Sequence, residues 1–162
     1  MIIGIDPGVN NIGIAVLNSD ASIVLDTALW SIGKPELKGY NEFVDKLYSF
    51  LYNLKLDYNT AIVSVEKPFF TPMTLPNNIR TLEVIGLIKY ACFTCVREDN
   101  LVMVSPSNVK KQMTGKGNAN KKAVIDAVNA KYSLTKDVSI SHIADAIAIG
   151  YTAYKNKNEC SI

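Results

Sequence analysis

Cysteine and histidine are scarce in this chain of 162 residues, and the scarcity excludes several chemistries. Three cysteines, Cys92, Cys95 and Cys160, are an odd number and give no disulfide framework. Cys92 and Cys95 form a CxxC inside an apolar helical pattern, with no second pair or histidine nearby, so they read as buried thiols before zinc or redox ligands. No apolar run approaches the ~20 residues that span a bilayer. The start lacks a charged segment followed by an apolar one and a cleavage site, so a cytoplasmic protein with no membrane partner is expected. Excess charge is missing too: the net value is only +2, which does not by itself announce nucleic acid. There is no internal repeat, low-complexity segment or linker. The length suits one domain over residues 1–155, with 156–162 as a frayed tail.

What is present begins with Met1-Ile2-Ile3-Gly4-Ile5-Asp6-Pro7-Gly8, a short apolar strand ending in a carboxylate and a Pro-Gly turn. A second apolar run, Ile12 to Leu17, makes a hairpin, and Ile23 to Trp30 adds a third strand to an antiparallel meander. Residues 33–39 read as a loop. Phe43, Leu47, Phe50, Leu51 and Leu54 then recur at helical spacing. Thr60 to Glu66 is another β-rich run ending in a carboxylate, stopped by Lys67-Pro68. Strand, helix, strand implies a crossover that sets this strand parallel to the first. Asp6 and Glu66 would then share one sheet edge. Either each caps its own turn in solvent, or the two are held together for a cation, because a buried carboxylate needs a partner.

Phe69 and Phe70 sit in a loop running to Pro76, where they either tuck into the core or offer flat faces for stacking. A long helix over about 78–96 follows, with Leu82, Ile85, Ile88, Cys92 and Cys95 as its stripe. Val84, Leu87, Ala91 and Phe93 widen its apolar face beyond what one sheet covers, so the helix is either deeply buried or meets a partner, a dimer contact in a chain this size. Leu101 to Val104 reads as the last strand. A short helix entered at Pro106 or Ser107 comes next, then Thr114 to Lys122. Between Ser105 and Ile125 stand five lysines (Lys110, Lys111, Lys116, Lys121 and Lys122) and no acid. Such a segment suits a phosphate backbone, or is simply a solvated loop; the P-loop spacing is absent. Helices are expected over 119–131 and 142–155. In the last, Ile143, Ile147, Gly150, Tyr151 and Tyr154 form the core stripe, and His142 and Asp145 share a neighbouring face. The lone histidine is either a surface residue at a helix start or part of a site with Asp6, Glu66 and Asp145. Hard divalent ions prefer such oxygen donors, and two of them can drive phosphodiester hydrolysis.

In order along the chain, Gly4-Ile5-Asp6-Pro7-Gly8 with Gly13, Val65-Glu66 with Phe69, Ile85-Gly86, Ser105-Pro106-Ser107-Asn108-Val109-Lys110, Gly115-Lys116-Gly117, Lys121 and His142-Ile143-Ala144-Asp145 resemble the RuvC-type Holliday junction resolvases. The resemblance implies an α/β, ribonuclease H-like fold: a five-stranded mixed sheet, a three-strand antiparallel meander plus parallel strands, flanked by helices. It implies a crossover junction endodeoxyribonuclease that makes paired nicks in strands of like polarity during recombination and repair. Asp6, Glu66 and Asp145 would be metal ligands for Mg2+, with Mn2+ as a substitute, and His142 would either bind metal or aid proton transfer. Lys110 and Lys121 would serve the catalytic step and the junction phosphates, alongside Lys111, Lys116 and Lys122. Phe69 and Phe70 would stack on bases near the crossover of four-way or branched DNA. The family's homodimer would form through the helix near 78–96, and host branch-migration proteins are further partners. Lys67-Pro68 and Lys116 depart from the family pattern and leave cut-site preference open. The many Asn, Lys, Ile and Tyr suit a phage or low-GC bacterial member.

Three other readings compete. A resolvase-like nuclease could act on structured RNA, and a junction-binding protein could be catalytically silent. An actin-like ATPase also opens with strand, Asp and Gly turn, but needs a second domain that this length does not provide.

Overall fold

The structure, a computed structural model, describes residues 1–8, 10–32, 37–68, 75–133 and 141–159. The strands are β1 (Ile2–Pro7), β2 (Ile12–Leu17), β3 (Val24–Trp30), β4 (Ile62–Glu66) and β5 (Leu101–Val104). The helices are α1 (Leu37–Asn53), α2 (Leu75–Cys92), α3 (Pro106–Thr114), α4 (Lys121–Tyr132) and α5 (Ser141–Glu159). The strands form one sheet in the order β3-β2-β1-β4-β5. β1–β2 and β2–β3 pair antiparallel, while β4 lies parallel to both β1 and β5. This is the meander-plus-parallel sheet expected from the hairpin and crossover pattern.

The central strands β1, β2 and β4 bury both faces, which is why they read as continuous apolar runs rather than alternating ones. On one face Ile3, Ile5, Ile14 and Val65 meet Phe43 and Leu47 of α1 and Val84 and Ile88 of α2. On the other, Ile2, Ala15 and Leu17 meet Ala146, Ile147 and Ile149 of α5, with Val109 of α3 and Val124 and Val128 of α4 behind them.

Two glycines decide how closely α5 lies on the sheet. A Cβ on Gly4 would collide with the carbonyl oxygen of Ala146 and the backbone of Gly150. One on Gly13 would collide with the carbonyl of His142. The helix backbone therefore rests directly on β1 and β2 at both points, which only glycine permits. This contact fixes where the N-terminal end of α5 projects over the sheet.

Several boundaries differ from those expected. α2 starts at Leu75 and ends at Cys92, earlier than 78–96 at both ends, and Pro76 lies inside its first turn, where its missing N–H costs nothing. Its inward residues are Val84, Ile85, Ile88, Ala91 and Cys92; Leu82 faces outward and Cys95 lies beyond the helix, half-buried. α1 begins at Leu37, inside the expected loop. α5 continues to Glu159, past the point where a frayed tail is expected to begin, with Lys157 donating to Asn100 at 3.2 Å and Gln112 to Glu159 at 3.3 Å. On α5, small residues rather than tyrosines fill the interface: Ala144, Ala148 and Ala153 are buried, while Ile143, Tyr151 and Tyr154 are only partly so. Phe69, Phe70 and the approach to Ser141 lie outside the described residues.

Candidate active site

The parallel pairing of β1 with β4 sets Ile5 opposite Val65, so the next residues along, Asp6 and Glu66, stand side by side at the same rim. The expected convergence of the two strand-end carboxylates is met by the register itself. Facing them from α5 are His142 and Asp145. His142 Nδ1 lies 2.7 Å from Asp6 Oδ2, a hydrogen bond spanning 136 positions of sequence. The histidine is thus tied to the first carboxylate rather than standing free at a helix start.

Two short helices bring the cations. Ser105 caps α3, its hydroxyl accepting from the Asn108 N–H at 3.3 Å, with Pro106 as the first helical residue. The helix ends at Gly115 in the left-handed region (φ 79°), whose N–H returns to the Lys111 carbonyl at 2.8 Å. That leaves Lys110 in the middle of α3, half-buried toward the rim. Asn120 caps α4 in the same manner, accepting from the Ala123 N–H at 2.9 Å, so Lys121 opens that helix. Lys121 Nζ reaches Asp145 Oδ2 at 3.5 Å. Glu66, Lys110, Lys121 and Asp145, with Pro106, Val109 and Val124 as the apolar wall, line a cleft of about 250 Å³.

The acids are held where charge is costly. Burial pushes the Glu66 carboxyl up to about 7; the charges of Asp6 and Asp145 add to the shift, and Lys110 and Lys121 oppose it. Asp6 is raised by burial, with the His142 hydrogen bond opposing and Asp145 adding to the rise. Asp145 is raised by burial against the pull of Lys121. Three carboxyls that resist ionisation at one rim, each with oxygen donors, match the needs of a hard divalent cation, which would relieve all three at once. Their side chains stand in pairs, however: Asp6 with His142 and Asp145 with Lys121. Among the described residues no three acidic, histidine or cysteine side chains are gathered into a finished cage.

Of the other lysines singled out in the sequence, Lys111 and Lys116 are exposed, on α3 and in the turn after it. Lys122 turns along its own helix to Asp126 at 2.8 Å. Two larger hollows, of about 430 and 450 Å³, meet at Tyr58, at the opposite end of β4, and hold only one carboxylate, Glu98. Sequence reasoning missed the Lys121–Asp145 pair and the seating of His142 on Gly13. An asparagine cap followed directly by lysine was the available signal for the first; nothing local signalled the second.

The family profile described as crossover junction endodeoxyribonuclease RuvC matches residues 2–153. The RuvC of Prochlorococcus marinus strain MIT 9312 is 30% identical over 153 residues, covering 93% of this chain and 94% of the relative. That of Rickettsia conorii is 28% identical over 160 residues, covering 98% and 99%. Among solved structures, T. thermophilus RuvC in complex with Holliday junction substrate superposes with a TM-score of 0.79 at 23% identity, covering 97% of this chain and 94% of that one. The yeast mitochondrial Holliday junction resolvase Ydc2 has a TM-score of 0.61 at 12% identity, covering 98% and 80%. These likenesses support the ribonuclease H-like fold; they do not support a phage or low-GC origin.

Proposed function

Because the chain belongs to the RuvC family of crossover junction endodeoxyribonucleases, we propose that its rim of acids and lysines cuts four-way DNA in a magnesium-dependent reaction, as a homodimer. The observation that carries this reading is the adjacency of Asp6 and Glu66 on parallel strands, with Asp145 and His142 set against them by α5. Asp6, Glu66 and Asp145, with His142 as a fourth group, are the ligands this reading assigns. Magnesium held there, with manganese as a substitute, supplies Lewis acidity for water activation and for the departing oxygen of the phosphodiester.

The chain's own groups do the rest. Lys110 and Lys121 present ammonium groups to the scissile phosphate from the walls of the cleft. Lys111, Lys116 and Lys122 follow the backbone on either side, an electrostatic contact without base preference. Phe69 and Phe70 stack on bases at the crossover. His142 holds Asp6 in one orientation through their hydrogen bond. The dimer forms through α2, whose outward residues Ile79, Leu82, Tyr90 and Phe93 (the last just beyond the helix) are 53, 44, 76 and 76% exposed. Gly86 stands on the same helix with nothing within 4 Å of where a Cβ would be, so a second helix can approach closely. Two sites related by a twofold axis cut strands of like polarity. The cytoplasm, with branch-migration proteins, is the setting this reading assigns.

The test is incubation with a synthetic four-way DNA junction, with and without Mg2+, mapping every nick, beside linear duplex and structured RNA. Symmetric paired nicks on the junction that require Mg2+ support the reading. Preferential cutting of RNA, or junction binding with no nick, overturns it.

A further inference from the structure

Asp145 is already partnered by a cation from its own chain. Lys121 Nζ stands 3.5 Å from its Oδ2, and the lysine side chain is 56% exposed while that of the aspartate is 26% exposed. The lysine therefore reaches inward from solvent to a carboxylate that it partly covers. Its backbone is fixed, since Asn120 caps α4 immediately before it. Its side chain is not: four methylenes and three rotatable donors let the ammonium swing several ångströms without disturbing the helix. Lys122, the next residue, is different in kind, because its partner Asp126 lies on the same helix and outside the cleft.

We infer that Lys121 is the resident counter-ion of Asp145, displaced when a divalent cation takes that carboxylate and handed over to a phosphate of the DNA. This rests on the metal-site reading above and deepens it. An ammonium at ion-pair distance and a divalent ion cannot share one small carboxylate without repelling each other. The released ammonium remains in a cleft whose other cation is Lys110, and a phosphate entering there is its nearest new partner. Metal loading and DNA grip thus become linked through one side chain. The linkage is reciprocal: DNA that draws Lys121 away tightens the metal by the factor by which the metal tightens DNA.

The test begins without DNA. Calorimetric titration of Mg2+ or Mn2+ alone into the parent protein, Lys121→Met and Lys110→Met compares the loss of the paired ammonium with the loss of an equal charge in the same cleft. Lys121→Met is expected to tighten metal binding roughly fivefold, the scale of an exposed ion pair, and Lys110→Met clearly less. A second readout is the salt dependence of junction binding, with and without Ca2+, followed by anisotropy. Ca2+ is expected to steepen the slope by about one phosphate contact in the parent relative to Lys121→Met. Unchanged or weaker metal binding in Lys121→Met, or equal tightening in both variants, overturns the exchange while leaving the metal site standing. Absence of metal uptake by the parent overturns the metal site itself.

Discussion

Glu66 carries the clearest signature of pH at the residue scale. Its carboxyl sits at about 7 in the fold against 4.5 ordinarily, and Asp6 and Asp145 are displaced in the same direction. The native state therefore holds protons that the unfolded chain has released between these values. Stability without metal should be full below about pH 4.5 and fall as pH rises toward 7, by on the order of 3 kcal/mol for Glu66. Thermal denaturation in EDTA should show the midpoint dropping from pH 5 to pH 8. Millimolar Mg2+ should restore it at pH 8 and do little at pH 5; a metal effect equal at both values would place binding elsewhere. Asp6→Asn removes one carboxylate charge from the rim and one like-charge repulsion together. It should lower cleavage by about a hundred- to a thousandfold, on the scale of losing a main electrostatic contributor to catalysis, while junction binding is kept or tightened. Cleavage at the parent rate would remove Asp6 from the site. The two strand-end acids were legible in sequence because a proline stands at or just past the end of each strand, Pro7 closing β1 and Pro68 following β4. The bond from His142 to Asp6 was not legible, since it joins the second residue of the last helix to the first strand and leaves no local pattern.

Among the elements, α5 is the one whose placement sets the site, and its contact with β1 and β2 is backbone on backbone. Gly4→Ala should cost about 1–3 kcal/mol by overpacking, read as a lower denaturation midpoint. Gly13→Ala presses on the carbonyl of His142 and should slow cleavage at temperatures where the protein remains folded. If Gly13→Ala cuts at the parent rate, the position of the α5 end is not critical. Strand order followed from the apolar runs and the crossover rule, and α3 from Pro106. Boundaries of α2 were less readable, because apolar residues surround that helix and no single stripe marks its inward side. The inward face of α5 was read only in part: Ile147 and Gly150 are buried as expected, while Ile143, Tyr151 and Tyr154 only flank it. Tyr151 and Tyr154 look like core by hydrophobicity, whereas close packing on the sheet favours alanine, glycine and isoleucine there.

For the molecule as a whole, α2 packs on the face of the sheet opposite α5, so the proposed contact through its outward row would leave both clefts open. Leu82→Glu with Tyr90→Glu should shift sedimentation at micromolar concentration from dimer to monomer while the monomer stays folded by circular dichroism, since both side chains are exposed. The same variant should lose the pairing of nicks on a four-way junction. A parent protein that sediments as a monomer under these conditions would remove the α2 contact. No described helix is long and apolar enough to cross a membrane, and residues 2–153 match one family profile from end to end. Within that span, Asp6 comes from the first strand and Asp145 from the last helix. Until α5 has settled on β1 and β2, the two halves of the proposed cutting edge stay apart, so on this reading a partly folded molecule is harmless to DNA.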